Sequence, residues 1–195
     1  VADLKEKGYN VLATGEMGIG NTTTSSAVCS VLLDQSVEKV TGKGAGLTNK
    51  DLEHKIEVIR QSIALNKVNA DDPLDVLAKV GGLDIAGMAG CYIGGAALNI
   101  PVFIDGFISS VAALIAIRLV PECAPYLFPS HCSNEPAGRM ILDAIGKQPY
   151  IFANMCLGEG TGAVMGFTIA DYAFKAYWEL PSFEQTNFGT YEELN

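Results

Sequence analysis

Asn10 to Thr24 read N-V-L-A-T-G-E-M-G-I-G-N-T-T-T, and the fold turns on this stretch. Residues 10–14 (NVLAT) form a short apolar run that ends at glycine, the pattern of a buried strand. Asn21 and Thr22 are N-capping residue types, and 23–33 (TTSSAVCSVLL) continue as a buried helix. Strand, glycine loop and helix in succession aim backbone N–H groups at an anion. Gly15, Gly20, Asn21 and Thr22 nearly complete the phosphate-binding pattern G-x-x-x-x-G-K-[ST], but the lysine is replaced by Asn21 and an acid, Glu16, stands inside the glycines. That lysine is what reaches the terminal phosphates of a nucleoside triphosphate. Its replacement argues against triphosphate hydrolysis. A monophosphate is less demanding, because helix-start amides and one cation from elsewhere can hold it. Glu16 would then face a group that carries or develops positive charge.

The same alternation continues outward. Residues 41–48 (TGKGAGLT) form a second glycine-rich loop, and the stripe Leu52, Ile56, Ile59, Ile63 predicts a long helix over 49–66. Asp72-Pro73 opens a short helix to Lys79. Residues 83–98 read as a small-residue helix whose glycine spacings let a neighbouring backbone come close. Residues 101–105 (PVFID) read as a buried strand and 107–120 as a helix. Residues 125–130 (PYLFPS) read as another strand, with a helix from Pro136 to Ile145. Residues 150–155 are ambiguous, and a last helix follows L-G-E-G-T-G (157–162) to about Glu179.

This order predicts an α/β fold with a mostly parallel sheet flanked by helices in Rossmann-like layers. Its site lies at the carboxyl ends of the strands. Glu16, Asp105, Ser133 and Glu159 all follow strand-like segments and are expected to converge there. Glu159, between glycines and just before a helix, reads either as a capping carboxylate or as an acid held in an open pocket. Residues 1–170 are expected to form the nucleotide-binding domain. Residues 171–195, a helix and a polar tail, are assigned to a small helical domain.

The chain has 195 residues, 49% of them hydrophobic and 18% charged, which fits a packed domain rather than a disordered segment. A formal net charge of −9 argues against nonspecific nucleic-acid binding, which needs clustered Lys and Arg. Five cysteines without a C-x-x-C pair read as buried, reduced thiols of a cytoplasmic protein. His54 and His131 are far apart and pair with no cysteine at zinc spacing, so no metal is expected. Residues 83–104 and 107–117 are too interrupted or too short to span a bilayer, so no membrane association is expected.

Seven motifs occur in order: G-E-M-G-I-G-N-T-T, G-K-G-A-G, H-K (54–55), G-G-L-D-I-A-G-M-A-G, D-G-F-I-S-S, S-H-x-S-x-E-P and L-G-E-G-T-G-A. Together they closely resemble the nicotinate-nucleotide:dimethylbenzimidazole phosphoribosyltransferases, which make the lower-ligand nucleotide of cobalamin. The resemblance runs along essentially the whole chain. It implies that the chain corresponds to the carboxyl part of a longer family chain. It implies transfer of phosphoribose from nicotinate mononucleotide to 5,6-dimethylbenzimidazole or a similar base, without a cofactor. Glu159 would be the general base and Glu16 a supporting carboxylate. The amides around Gly18, Ile19 and Gly20, with Asn21 beside them, would bind the phosphate. Lys55 would supply the cation, Asp105 and Ser133 would line the nucleotide site, and Leu157 would contact the base. Asp84 is expected to cap a helix or organise loops. Where many family members carry an arginine, this chain has Cys156, and Lys43 is a candidate replacement. A homodimer, or pairing with the family's N-terminal region, is the expected assembly. The alternative is a non-catalytic nucleotide-binding fragment or subunit.

Overall fold

The computed structural model describes residues 1–186. In chain order the elements are α1 (Ala2–Glu6), β1 (Leu12–Ala13), α2 (Asn21–Leu33), α3 (Val37–Val40), α4 (Asn49–Asn66), α5 (Pro73–Val80), α6 (Leu83–Ala97), β2 (Val102–Ile104), α7 (Phe107–Leu119), a 3₁₀ segment (Pro121–Tyr126), β3 (Leu127–Pro129), α8 (Gly138–Ala144), α9 (Thr161–Glu179) and α10 (Phe183–Thr186). The three strands form one parallel sheet in the order β1-β2-β3, with Leu12 opposite Val102 and Phe103 opposite Phe128. Parallel pairing puts all three carboxyl ends on one edge, and helices flank the sheet as the strand–helix alternation requires.

The central strand shows why both faces are covered. Val102 and Ile104 join the main apolar core, built with α2, α6 and α7. Phe103 projects to the other face. There its ring stacks with Phe128 at 5.7 Å and meets Phe167 of α9 edge-on at 5.0 Å. α7 is buried continuously from Phe107 to Ala116, as expected of a helix that is apolar all round. The close approach expected of the small-residue helix occurs at Gly95, where a Cβ would stand 2.5 Å from Val102 Cγ2. Gly87 and Gly90 face open space.

Several boundaries follow their local chemistry. α4 has the bounds its apolar stripe predicts, and Thr48 caps it by accepting a hydrogen bond from the Asp51 amide. Asp72 caps α5, with Pro73 in the first turn. Other expectations need correction. The ladder of β3 begins only at Leu127, because Pro121 and Pro125 lack the N–H a strand donates and the segment winds into a 3₁₀ turn instead. Gly20, with φ +81°, is the N-cap of α2, so Asn21 is its first helical residue and not its cap. Of the five cysteines, Cys29 and Cys123 are buried, Cys91 and Cys132 are partly buried, and Cys156 is exposed.

α9 is a single helix through residues 170 and 171, and α10 follows it. The remaining tail, 187–195, lies outside the described residues. No helix among the described residues is long and apolar enough to cross a membrane. No cluster of side chains suited to a metal ion occurs among them either.

Candidate functional site

The loops that leave the strands build a cleft of about 530 Å³ at the carboxyl edge of the sheet. Its first wall is the glycine loop after β1. Thr14 anchors the entry to this loop: its amide donates to the Phe103 carbonyl, and its hydroxyl shares a 2.6 Å hydrogen bond with the buried Tyr92. Gly15 then lies flat against the Gly160 backbone, where a Cβ would stand 2.5 Å from the Gly160 nitrogen.

Glu16 turns its carboxylate back into its own loop. Its Oε2 accepts from the Gly18 amide at 2.5 Å and from Asn21 Nδ2 at 2.6 Å. Asn21 Nδ2 also donates to Asp84 Oδ2 at 2.7 Å, so this one side chain holds two acids in place and Asp84 organises loops as expected. The acid inside the glycine cradle therefore occupies the Gly18 amide, one of the three assigned to the phosphate. Ile19 is 78% exposed, and Gly20 takes the left-handed conformation that turns the chain into α2.

A second wall comes from α4 and the glycine-rich loop at 42–46. Buried Lys55 reaches under this loop, and Nζ donates to Thr22 Oγ1 at 2.9 Å and to the Gly42 carbonyl at 3.0 Å. Burial pushes the Lys55 ammonium below its ordinary pKa, and the Glu135 carboxylate opposes that shift. Glu135 responds in the mirror sense: burial raises its pKa and Lys55 lowers it. Glu135 lines the cleft beside Ser133, whose Oγ accepts from the Glu135 amide at 3.3 Å. Burial, the larger effect on both groups, favours their neutral forms, and their mutual attraction offsets it only in part.

The third wall is the loop before α9. Gly158, Glu159 and Gly160 are consecutive left-handed residues, with φ of +76°, +59° and +80°. Glycine adopts this conformation freely, but Glu159 does so at a cost and must be held there. The holding contacts are explicit. The Glu159 amide donates to the Glu16 carbonyl at 2.9 Å. Asp105, 1% exposed at the end of β2, accepts from the amides of Gly160 at 2.9 Å, Gly162 at 2.8 Å and Ala163 at 3.2 Å. Asp105 is thus the acid at the start of α9, complementing its positive end. Glu159 is not the cap. Its carboxyl group makes no hydrogen bond among the described residues and lines the cleft, together with Cys156 and the exposed Leu157.

Glu16, Ser133, Glu159 and Leu157 thus border one cleft, with Lys55 beneath the neighbouring loop and Asp105 under the floor. Two lining residues, Glu135 and His131, stand within S-H-x-S-x-E-P but were assigned no role from sequence. The signal that could have singled them out is their position, His131 two and Glu135 six residues beyond the end of β3, on the edge where the other strand-end residues converge.

Comparison with known proteins identifies the family. A family model described as Phosphoribosyltransferase matches residues 1–188. The chain is 53% identical over 194 residues to the nicotinate-nucleotide–dimethylbenzimidazole phosphoribosyltransferase of Ruminiclostridium cellulolyticum, covering 100% of this chain and 55% of that protein. It is 50% identical to the protein of the same name from Acetivibrio thermocellus, covering 98% of this chain and 55% of the relative. The crystal structure of CobT from Thermus thermophilus superposes with a TM-score of 0.89 at 33% identity, over 96% of this chain and 56% of that one. The chain spans about half the length of the curated relatives it matches.

Proposed function

This chain belongs to the phosphoribosyltransferase family, and from that premise we propose that it takes part in transferring phosphoribose from nicotinate mononucleotide to 5,6-dimethylbenzimidazole or a similar base. The products would be nicotinate and an α-ribazole 5′-phosphate, a nucleotide for the lower ligand of cobalamin. The observation that carries the reading is the carboxyl group of Glu159, unpartnered among the described residues at the edge of a cleft that also takes in Glu16, Ser133, Ile19 and, in the first turn of α2, Thr22.

The chemistry suits two carboxylates and no metal. The C1′–N bond to the pyridinium breaks, and the electron pair neutralises the nicotinate ring, so the leaving group needs no proton. Positive charge develops at C1′. A benzimidazole nitrogen forms the new bond from the opposite face and inverts the anomeric centre. The proton on the other benzimidazole nitrogen passes to the Glu159 carboxylate, the general base of this account. Glu16 supports the developing charge. Its bonds to Gly18 and Asn21 hold the carboxyl group in place. The Ile19 and Gly20 amides face the phosphate, with Gly18 following if Glu16 releases it. Lys55 supplies the cation through the Thr22 hydroxyl or directly. Ser133 and Leu157 bound the ribose and the base. Asp105 acts through Glu159 as a positioning residue.

A cytoplasmic location agrees with five cysteines free of disulfides. The division into a nucleotide-binding part and a helical carboxyl part, and a homodimer or pairing with the rest of the family's length, belong to the same reading. Support comes from α9, which exposes Tyr172, Phe174, Tyr177 and Trp178.

The test is incubation with nicotinate mononucleotide and 5,6-dimethylbenzimidazole, with product identified by mass spectrometry and its anomeric configuration by NMR. Inverted α-nucleotide supports the reading. Nucleotide binding without turnover favours a binding subunit.

A further inference from the structure

His131 is 2% exposed, yet its ring lines the cleft, and no step above uses it. Its place is fixed from three sides. The backbone of His131 bridges Ile151 in parallel register. The ring packs so tightly against Gly162 that a Cβ there would collide with Nδ1. On the other side Gly106, also a lining residue, lies alongside the Cε1–Nε2 edge, and a Cβ at Gly106 would stand 3.6 Å from both atoms.

The hydrogen bonds around the ring fix its tautomer. Ser130 Oγ lies 3.1 Å from His131 Nδ1, 2.8 Å from the Ile104 carbonyl and 3.2 Å from the Asp105 carbonyl. The hydroxyl carries one proton, and both carbonyls can only accept. The proton therefore goes to a carbonyl, and the hydroxyl presents a lone pair to Nδ1. Nδ1 must then carry the ring proton and donate it. Burial, which pushes the imidazole pKa below its ordinary value against the pull of Asp105, keeps the ring neutral. Nε2 is left with a lone pair. It has no hydrogen-bond partner among the described residues, and it is not among the fully buried polar atoms that lack one, so it is open to the cleft.

We propose that His131 is a ligand-binding residue of this cleft, in which the unprotonated Nε2 accepts a hydrogen bond from a neutral donor on the bound ligand. The proposal rests on the functional reading above. A lone pair repels a phosphate or a carboxylate, so the nucleotide's own anionic groups are not the partner. The donor is a ribose hydroxyl, since the single N–H of the incoming base is the one that Glu159 takes.

The test is ¹⁵N NMR of the histidine-labelled chain near neutral pH, with His54→Gln removing the other signal set. The free protein should show a protonated Nδ1 and a bare Nε2. Nicotinate mononucleotide should move the Nε2 resonance upfield as it accepts a hydrogen bond, and nicotinate or 5,6-dimethylbenzimidazole alone should not. A response to the base and not to the nucleotide would make the azole N–H the donor and overturn the proposal. A protonated Nε2 in the free protein overturns the proposal by itself. So does a nucleotide that binds by calorimetry without moving Nε2, an outcome that leaves the functional reading standing. Failure of the nucleotide to bind overturns both. In parallel, His131→Phe should weaken binding of nicotinate mononucleotide about threefold to tenfold.

Discussion

The backbone amide of Glu159 donates to the backbone carbonyl of Glu16 at 2.9 Å, so the two loops that carry the acids are joined directly to each other. Gly15 and Gly160 press backbone to backbone beside this bond, because neither has a side chain to keep them apart. Gly15→Ala would put a methyl group 2.5 Å from the Gly160 nitrogen and part the loops. Overpacking of this kind costs about 1–3 kcal/mol. Urea unfolding should show that loss, and turnover should fall with it, because Glu159 can no longer hold its left-handed conformation.

Asp105→Asn tests the other anchor. The carboxylate accepts three amides at the start of α9, whereas an asparagine offers one oxygen and turns an N–H₂ group toward at least one donor. The loss should be about 2–3 kcal/mol of stability, the range for a hydrogen-bonded buried charge. Activity should drop through kcat, with little change in nucleotide affinity, if Asp105 acts only by placing Glu159.

Lys55 is assigned to the phosphate, so its effect should track the presence of that group. Lys55→Met should weaken binding of nicotinate mononucleotide by about tenfold to a hundredfold, the scale of one charge-assisted hydrogen bond. Binding of nicotinate riboside, which lacks the phosphate, should change little. Equal losses for both ligands by calorimetry would assign Lys55 to loop support, through Thr22 and Gly42, instead.

Alkaline stability should be limited by the core of α2. Burial raises the Cys29 thiol from 9.0 to about 12. Between these values the unfolded chain releases the proton and the folded chain keeps it, so stability is full below the lower value and falls as pH rises toward the upper one. The slope from this group is at most about 1.4 kcal/mol per pH unit. Urea melts at about pH 8 and about pH 10 should differ accordingly, and Cys29→Ala should reduce the difference.

Much of this was legible in the sequence, because local patterns determine local structure. The bounds of α4 followed from its apolar period, and the strand–glycine–helix unit set the parallel sheet and the edge where Glu16, Ser133 and Glu159 meet. What sequence could not give were pairings across distance. Asp105 was expected to line the site, but its partners are amides 55 to 58 residues away, and no local signal marks them. The fold-back of Glu16 onto Gly18 was hidden for the opposite reason, since G-E-M-G advertises free amides and not the carboxylate that takes one. Proline placement did announce the end of the expected strand at 125–126, but the apolar run around it outweighed that signal.

The central claim is that Glu159 removes the base's proton during phosphoribosyl transfer, and kcat of Glu159→Gln beside the native chain, with nicotinate mononucleotide and 5,6-dimethylbenzimidazole, tests it most directly. Gln keeps the size of the side chain and the backbone bond to Glu16 but cannot accept the proton. The account predicts that kcat falls about 10²–10⁴-fold while the affinity for nicotinate mononucleotide is retained. A variant that turns over at the native rate would contradict it.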